Sequence, residues 1–176
     1  MGGVGSWCAE GLVRCGIGSL TMVDADVINA TNINRQLQAN TQTIGNAKAG
    51  ELAGRLQAIN PQAEIIPQQK FYDQSSAASF DLGGYDCVID AIDSIANKLM
   101  LLENCLSLHT PVVSSMGAAG KRNPSLIRTS TIGDTRHCPL ARIVRRELKR
   151  RQLALDIPCV FSDELPAQAA SGKIDL

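Results

Sequence analysis

Short apolar strand patterns alternate with amphipathic helical patterns along most of the chain. The strand patterns cover residues 19–23, 64–67, 87–91 and 111–114, and the helical patterns cover residues 6–15, 47–59 and 99–108. Strands that alternate with helices pair in parallel, because each helix returns the chain to the same end of the sheet. The sequence therefore predicts an α/β fold with a doubly wound, Rossmann-like and mostly parallel sheet.

Gly2, Gly3 and Gly5 form a glycine-rich loop at the start of the chain, directly ahead of the first helical pattern. A loop of this kind normally follows a buried strand, which positions it over the N-terminus of the next helix. Only Met1 precedes the loop in this sequence, so we expect a truncated sheet with its first strand missing.

The composition suits one domain of 176 residues, because 44% of the residues are apolar. The net charge is zero, which gives no general attraction to nucleic acid or to a membrane. The six cysteines include no Cys-x-x-Cys pair, so neither a disulfide framework nor a tetrathiolate zinc site is expected. No signal peptide or membrane-spanning run is recognisable, and we expect a cytoplasmic protein in a reducing compartment.

The glycine loop and Asp24 together indicate a nucleotide site. Glycines at positions 3 and 5 let backbone amides approach a phosphate, and the positive end of the following helix favours the anion. Asp24 lies nineteen residues after Gly5, at the end of the next strand pattern, where a carboxylate can accept hydrogen bonds from ribose hydroxyls. The alternative is that Asp24 only closes a loop. These features leave the choice between NAD and ATP open.

Asn32, Arg35 and Lys48 favour ATP. An amide and a guanidinium follow Asp24 by eight and eleven residues, and Lys48 lies near the start of the next predicted helix. Two cations that converge on the glycine loop suit a triphosphate better than the bridged pyrophosphate of a dinucleotide. The alternatives are that Lys48 is a solvated helix residue and that Arg35 forms a surface ion pair.

Asp90 and Asp93 close the third predicted strand, ahead of a helix that contains Lys98. Ligands of doubly wound sheets bind beyond the carboxyl ends of the strands, so we expect both carboxylates to face the same crevice as Gly5 and Asp24. One of them can hold Mg²⁺ against phosphates. We assign that role to Asp93 and a structural role, such as a helix cap, to Asp90.

The segment after residue 132 differs from the core. It begins with a loop and continues as a basic amphipathic helix over residues 139–153, followed by a short strand and a tail. We expect residues 1–132 to form the nucleotide-binding core and residues 133–176 to add this helix and a truncated C-terminal segment to the same domain. The helix predicts a face for a polyanion, although a solvated helix face is an equal alternative. The candidate contacts are Arg142, Arg145, Arg146, Lys149 and Arg150.

Several motifs, in this order and spacing, resemble those of the ubiquitin-activating-like (ThiF/MoeB-type) adenylating enzymes. They are Gly-Gly-Val-Gly-Ser-Trp at 2–7, Val-Asp-Ala-Asp at 23–26, Thr-Asn-Ile-Asn-Arg-Gln at 31–36, Gly-Asn-Ala-Lys-Ala at 45–49 and Val-Ile-Asp-Ala-Ile-Asp-Ser at 88–94. Within that superfamily, the likeness is greatest to the branch whose members dehydrate threonylcarbamoyladenosine in tRNA. The closer matches lie at residues 3–7, 59–61, 88–94, 138–141 and 159–162.

The resemblance implies a role for each candidate residue. The loop glycines Gly3 and Gly5 bind phosphate, Asp24 binds the ribose, and Asp93 is the magnesium-linked carboxylate. Asn32, Arg35 and Lys48 bind the triphosphate, and the catalytic residues are Arg35, Lys48 and Asp93. The implied cofactors are ATP and Mg²⁺, and residues 1–132 become the adenylation core.

The implied reaction has two steps. ATP adenylates the carboxylate of a threonylcarbamoyl group on tRNA, and the carbamoyl oxygen then attacks the activated carbonyl, closes a ring and expels AMP. Such a ring closure is intramolecular, so no protein nucleophile is required. The implied partners are tRNA, met by the basic helix, a second copy of the chain in a homodimer, and a cysteine desulfurase or sulfur-acceptor system.

Other functions stay open at this stage. A sulfur-carrier adenylyltransferase would activate the C-terminal glycine of a small ubiquitin-like protein, with Cys138 or Cys159 handling sulfur. The alternative for both thiols is a purely structural role in core packing. A third class is a nucleotide-binding module without activity. A dehydrogenase is the least favoured, because His109 and His137 lie away from the predicted crevice.

Overall fold

The structure is a computed structural model that describes residues 1–165 of the chain. It contains two compact units, Met1–Phe80 and Asp81–Leu176. The division into a 1–132 core and a 133–176 segment stays a prediction. From residue 166 onward, the predicted tail lies outside the described residues.

The first unit contains two α-helices and two strands, besides short 3-10 helices. These are α1 (Gly5–Arg14), β1 (Ser19–Val23), α2 (Lys48–Ile59) and β2 (Glu64–Gln68). The strands are parallel, with Ser19 opposite Glu64. The helical spacing in the sequence explains the core of this unit, because residues four apart share one helix face. Ala9 and Val13 of α1 and Leu52 and Leu56 of α2 are buried together with Met22 of β1.

Up to residue 165, the second unit contains two α-helices and four strands, besides short 3-10 helices. These are β3 (Val88–Asp90), α3 (Ile95–Ser107), β4 (Val112–Ser115), β5 (Ile127–Thr131), α4 (Pro139–Arg150) and β6 (Pro158–Ser162). The strands lie in the order β3-β4-β6-β5. Neighbours pair in parallel from β3 to β6, and β5 pairs with β6 in antiparallel orientation. The predicted α/β class with mostly parallel sheets is confirmed.

Two local predictions needed correction. The strand β5 was not predicted, because its sequence Ile-Arg-Thr-Ser-Thr has neither an apolar run nor a clear alternation. The helix α4 ends at Arg150, although the sequence pattern extends to residue 153. Gln152 has a φ of 58°, in the left-handed region that stops a helix. No helix among residues 1–165 combines the length and the apolar character needed to cross a membrane.

A buried ion pair joins β3, α3 and β4. Lys98 Nζ lies 2.5 Å from Asp90 Oδ2, and both side chains are fully buried. Ser114 donates its hydroxyl proton to the same carboxylate oxygen at 2.5 Å, and Lys98 also donates to the carbonyl oxygen of Ser115 at 3.0 Å. Asp90 is therefore structural, as expected, but through an ion pair and not as a helix cap. The cap residue of α3 is Ser94.

We expect Lys98→Met to lower the free energy of unfolding by about 3–5 kcal/mol, because it leaves the Asp90 carboxylate buried without its cation. Urea unfolding followed by circular dichroism measures this change. Lys149→Met is the matched control, since Lys149 is exposed and has no ion pair among residues 1–165. The control should change the stability by less than about 0.5 kcal/mol. Equal effects of the two substitutions would contradict a structural role for the pair.

Candidate functional site

The glycine loop leads directly into α1, which begins at Gly5. The N-cap residue, Val4, provides no side-chain cap, and the first turn contains no acidic residue. The first amides of a helix lack partners within the helix, and the helix dipole makes this end positive. The N–H of Ser6 donates to the carbonyl of Gly2 at 3.0 Å, so the other amides of this turn and the helix dipole are what favour an anion here.

Arg35 packs against the glycine loop. A Cβ atom at Gly3 would lie 3.2 Å from both Cγ and Cδ of Arg35, so only glycine allows this approach without displacing the arginine. The indole Nε1 of Trp7 donates to the backbone carbonyl of Arg35 at 3.0 Å and fixes the loop from the other side. The guanidinium bonds to the carbonyl of Thr31 and to the amide oxygen of Asn34, at 2.8 and 2.9 Å. No carboxylate among residues 1–165 pairs with it, so the structure shows no surface ion pair at Arg35.

Asn32 is buried, and its amide oxygen closes a turn. Asn32 Oδ1 accepts a hydrogen bond from the backbone N–H of Asn29 at 3.0 Å. This bond holds the short helix Ala30–Asn32, from which the chain continues to Arg35. The predicted ligand role of Asn32 would fall to its amide nitrogen, because the oxygen is engaged.

Two glutamines beside this turn were not predicted. Gln36 and Gln38 are 5% and 4% exposed, and the Oε1 atom of each is buried without a hydrogen-bond partner among the described residues. A buried unsatisfied acceptor costs about 1–3 kcal/mol, so it often marks a place for a ligand or an ordered water. Gln36 closes the Thr-Asn-Ile-Asn-Arg-Gln motif, which is the sequence signal that could have included it.

Asp24 follows β1 and closes a loop, which is the structural role predicted from the sequence as the alternative to ribose binding. Asp24 Oδ1 accepts from the backbone N–H of Asp26 at 2.8 Å. The other oxygen, Oδ2, contacts the amino group of Met1. Because one carboxylate oxygen is enough to fix the loop, the second oxygen is the one that can serve a ribose. Loop closure is therefore observed at Oδ1, and the ribose role stays a prediction that would require Oδ2 to exchange its contact with Met1.

Lys48 is buried at the start of α2, so it is not a solvated helix residue. Its Nζ lies 2.7 Å from Asp26 Oδ2, and its backbone N–H donates to the carbonyl of Asp26 at 3.0 Å. The side chains of Lys48 and Asp26 are 8% and 56% exposed. Asp26 was not predicted as a partner. It holds the ammonium group in place while its own carboxylate stays largely in solvent.

Asp93 belongs to the second unit and follows β3 by three residues. Its side chain is exposed and makes no hydrogen bond or ion pair with residues 1–165. No group of three or more His, Cys, Asp or Glu side chains in that range could hold a metal ion. A single free carboxylate is what Mg²⁺ uses when phosphates and water complete its shell. The convergence of Asp93 with the residues of the first unit stays a prediction.

The cations of the predicted basic helix fall into three groups according to their partners. Arg145 Nη1 donates to the carbonyl and hydroxyl oxygens of Thr135, at 2.8 and 2.6 Å, and is committed within the protein. Arg146 and Arg150 pair with Glu147, at 3.4 and 2.9 Å. The guanidinium of Arg150, followed by that of Arg146, holds the pKa of Glu147 below its usual range. In the described range, the side chains of Arg142 and Lys149 have no ion pair.

Cys138 and Cys159 are buried, which favours packing over sulfur chemistry. Cys138 Sγ accepts from the backbone N–H of Ala141 at 3.5 Å and so caps α4. Burial, with a smaller contribution from Cys138, raises the pKa of Cys159 to about 11. The thiolate is the nucleophilic form, so this thiol is inert near neutral pH.

We expect Cys105 and Cys159 to resist a thiol reagent at pH 8, whereas the exposed Cys15 reacts. Burial raises the pKa of both buried thiols to about 11, so only about one molecule in a thousand carries either thiolate at that pH. Alkylation followed by peptide mass spectrometry identifies the modified positions, and protein unfolded in urea is the control. Modification of Cys159 as fast as Cys15 in the folded protein would revive the sulfur-handling hypothesis.

Comparisons with known proteins place these features in a family. The profile of the ThiF family matches residues 1–156. The chain is 40% identical over 166 residues to the tRNA threonylcarbamoyladenosine dehydratase of Bacillus subtilis, covering 94% of this chain. It spans 65% of that relative, slightly less than two thirds of its length. A more distant relative is the molybdopterin-synthase adenylyltransferase of Escherichia coli, 31% identical over 119 residues, which are 68% of this chain and 47% of that protein.

A solved structure has the same fold. The crystal structure of the Escherichia coli tRNA N6-threonylcarbamoyladenosine dehydratase TcdA in complex with ATP aligns with a TM-score of 0.90 and 37% identity. The alignment covers 96% of this chain and 72% of that chain. Because the family profile matches nearly the whole described range, the chain belongs to the ThiF family.

Proposed function

We propose that this protein uses ATP to dehydrate the threonylcarbamoyl group of a modified adenosine in tRNA. The observation that carries the proposal is the packing of the aliphatic chain of Arg35 against Gly3, in the glycine loop ahead of α1, while its guanidinium has no carboxylate partner among residues 1–165. The similarity to dehydratases, one of them with ATP bound, supports this choice of nucleotide and substrate.

The proposed ATP site uses the glycine loop and the three polar residues after it. The amides at Gly3 and Gly5 take phosphate oxygens, and Asp24 Oδ2 takes the ribose hydroxyls. Asn32, Arg35 and Lys48 take the triphosphate; Asn32 contributes its amide nitrogen. Lys48 meets the phosphates after exchanging its bond to Asp26, whose exposed carboxylate can turn to solvent. The unsatisfied oxygens of Gln36 and Gln38 fit a polar ligand or ordered water at the same turn.

Adenylation needs positive charge around the α-phosphate, where negative charge increases as the substrate carboxylate attacks. Arg35 and Lys48 supply fixed cations for that charge, which is the main way in which such sites accelerate a reaction. Mg²⁺, held by Asp93 together with phosphates and water, would neutralise the leaving pyrophosphate. The carboxylate of Asp93, exposed and without a partner among residues 1–165, fits that role.

Ring closure then requires no further protein group. The carbamoyl oxygen attacks the activated carbonyl, AMP leaves with the bonding electrons, and the lost carbamoyl proton goes to solvent. In total, one molecule of water is removed from the substrate, and ATP becomes AMP and pyrophosphate. Both reacting groups belong to one substrate, so holding it in place provides the proximity that the step needs.

The remaining features of the proposal concern partners and setting. The basic helix meets tRNA through Arg142, Arg145, Arg146, Lys149 and Arg150, and Arg142 and Lys149 are the cations free to do so without breaking a bond. We propose a homodimer in the cytoplasm, with ligase-type chemistry in which ATP cleavage drives the dehydration. A cysteine desulfurase or sulfur-acceptor system is a further proposed partner. These points rest on the motif resemblance of the sequence.

A second candidate is activation of a small ubiquitin-like sulfur carrier. The distant likeness to a molybdopterin-synthase adenylyltransferase favours it, since adenylation of a carboxylate is common to both functions. The burial of Cys138 and Cys159 disfavours it, because neither thiol is positioned to handle sulfur. We therefore rank it second.

ATP–pyrophosphate exchange with and without threonylcarbamoyl-modified tRNA tests the proposal. We expect exchange only with the modified tRNA, and a loss of about 10²–10³-fold in Asp93→Ala. Asp86→Ala is the matched control, because Asp86 is an exposed carboxylate at the opposite end of β3. It should leave the exchange rate unchanged.

The results that would contradict the proposal are specific. Exchange that ignores tRNA but requires a ubiquitin-like protein would support the second candidate. An equal loss in Asp86→Ala and Asp93→Ala would remove Asp93 from the metal role. Exchange without any carboxylate substrate would show that the protein is not a dehydratase.

A further inference from the structure

A cavity of about 320 Å³ opens beside the start of α4 in the second unit. It lies outside the residues to which the ATP site has been assigned. Among the residues that line it are Thr135, Arg136, His137, Pro139, Arg142 and Arg145. Cys138 and Leu165 complete the lining, and three of these eight residues are arginines, so the cavity brings several cationic side chains together.

Two of the arginines are not neutralised. Arg136 and Arg142 are exposed, and neither forms an ion pair with any residue from 1 to 165. The nearby carboxylate of Asp163 is taken by His137, whose Nδ1 lies 2.9 Å from Asp163 Oδ1. The carboxylate of Asp134 accepts from the hydroxyl of Thr131 at 3.0 Å. Arg136 and Arg142 therefore bring to the cavity two positive charges that pair with no carboxylate among residues 1–165.

The third arginine makes the cavity rigid. Arg145 is bonded to both oxygens of Thr135, and Thr135 in turn donates its hydroxyl proton to the carbonyl of Ile132 at 2.9 Å. These bonds tie the loop that carries Arg136 to the helix that carries Arg142. The backbone segments that carry Arg136 and Arg142 are thus joined at one cavity before any ligand arrives, which lowers the entropic cost of binding.

We infer that this cavity binds a backbone phosphate of tRNA and is the fixed point of the RNA-binding surface. One arginine guanidinium can bind two oxygens of a phosphate at once, and this contact does not depend on the base sequence. Arg146 and Lys149 follow Arg142 at helical spacing along the exposed side of α4. Such a row of cations can contact successive phosphates of a polymer, whereas a single small anion would need only the cavity. The inference rests on the proposed function for the choice of RNA, and it adds Arg136, which no sequence pattern indicated.

Binding of unmodified tRNA at several salt concentrations tests the inference. We expect Arg136→Gln and Arg142→Gln each to weaken binding about tenfold at low salt and to reduce the salt dependence by about one phosphate contact. Arg151→Gln is the matched control, because Arg151 lies at the end of the same helix and its guanidinium pairs with Glu103 at 2.5 Å. The control should bind as the unchanged protein does. Thermal unfolding establishes that each variant is folded.

The outcomes separate this inference from the proposed function. Weakened tRNA binding in both variants, with no dehydration by the unchanged protein, would support phosphate binding at the cavity and overturn the proposed reaction. Dehydration with normal tRNA binding in both variants would overturn the cavity and keep the reaction. If the variants lose affinity for free ATP and not for tRNA, the cavity is a nucleotide site and the inference is wrong. An unchanged protein that binds no tRNA would overturn it as well.

Discussion

The buried pair of Asp90 and Lys98 is the constraint on which the second unit depends. It joins the end of β3 to α3, and through Ser114 it reaches β4. A charge so deeply buried must keep its partner, so these elements can move only together. The short segment between Asp90 and α3 carries Asp93, and its ends are therefore fixed. The ion pair thus anchors the segment from which the exposed Asp93 carboxylate projects.

The charges of the protein fall into two groups that differ in their partners. Lys48 and Lys98 pair with carboxylates of their own units, Asp26 and Asp90. Arg35, Arg136 and Arg142 approach a glycine loop or a cavity and pair with no carboxylate in the described range. The net charge of zero does not reveal this difference, because it counts cations with and without a carboxylate partner alike. The cations without such a partner indicate where anions are expected to bind.

Much of the fold was predictable because its signals are local. The apolar run at β1 gave the strand bounds as the structure has them, and the leucines of α2 gave the buried helix face. The strand β5 was not predictable in that way, since its pairing with β6 and not its own sequence makes it a strand. The exposed carboxylate of Asp26 and the buried amides of Gln36 and Gln38 follow from tertiary neighbours, which no spacing rule reveals. The same reason explains why Arg145 looked like its neighbours on the helix but serves the loop at Thr135.

The bond between Trp7 and Arg35 has a practical consequence. The sequence contains one tryptophan, and its indole donates to the backbone of the residue that packs over the glycine loop. The ring is 59% exposed, so its emission is sensitive to solvent and to nearby charge. The tryptophan emission of this protein, excited apart from its two tyrosines, therefore reports on the surroundings of a single loop without any added label.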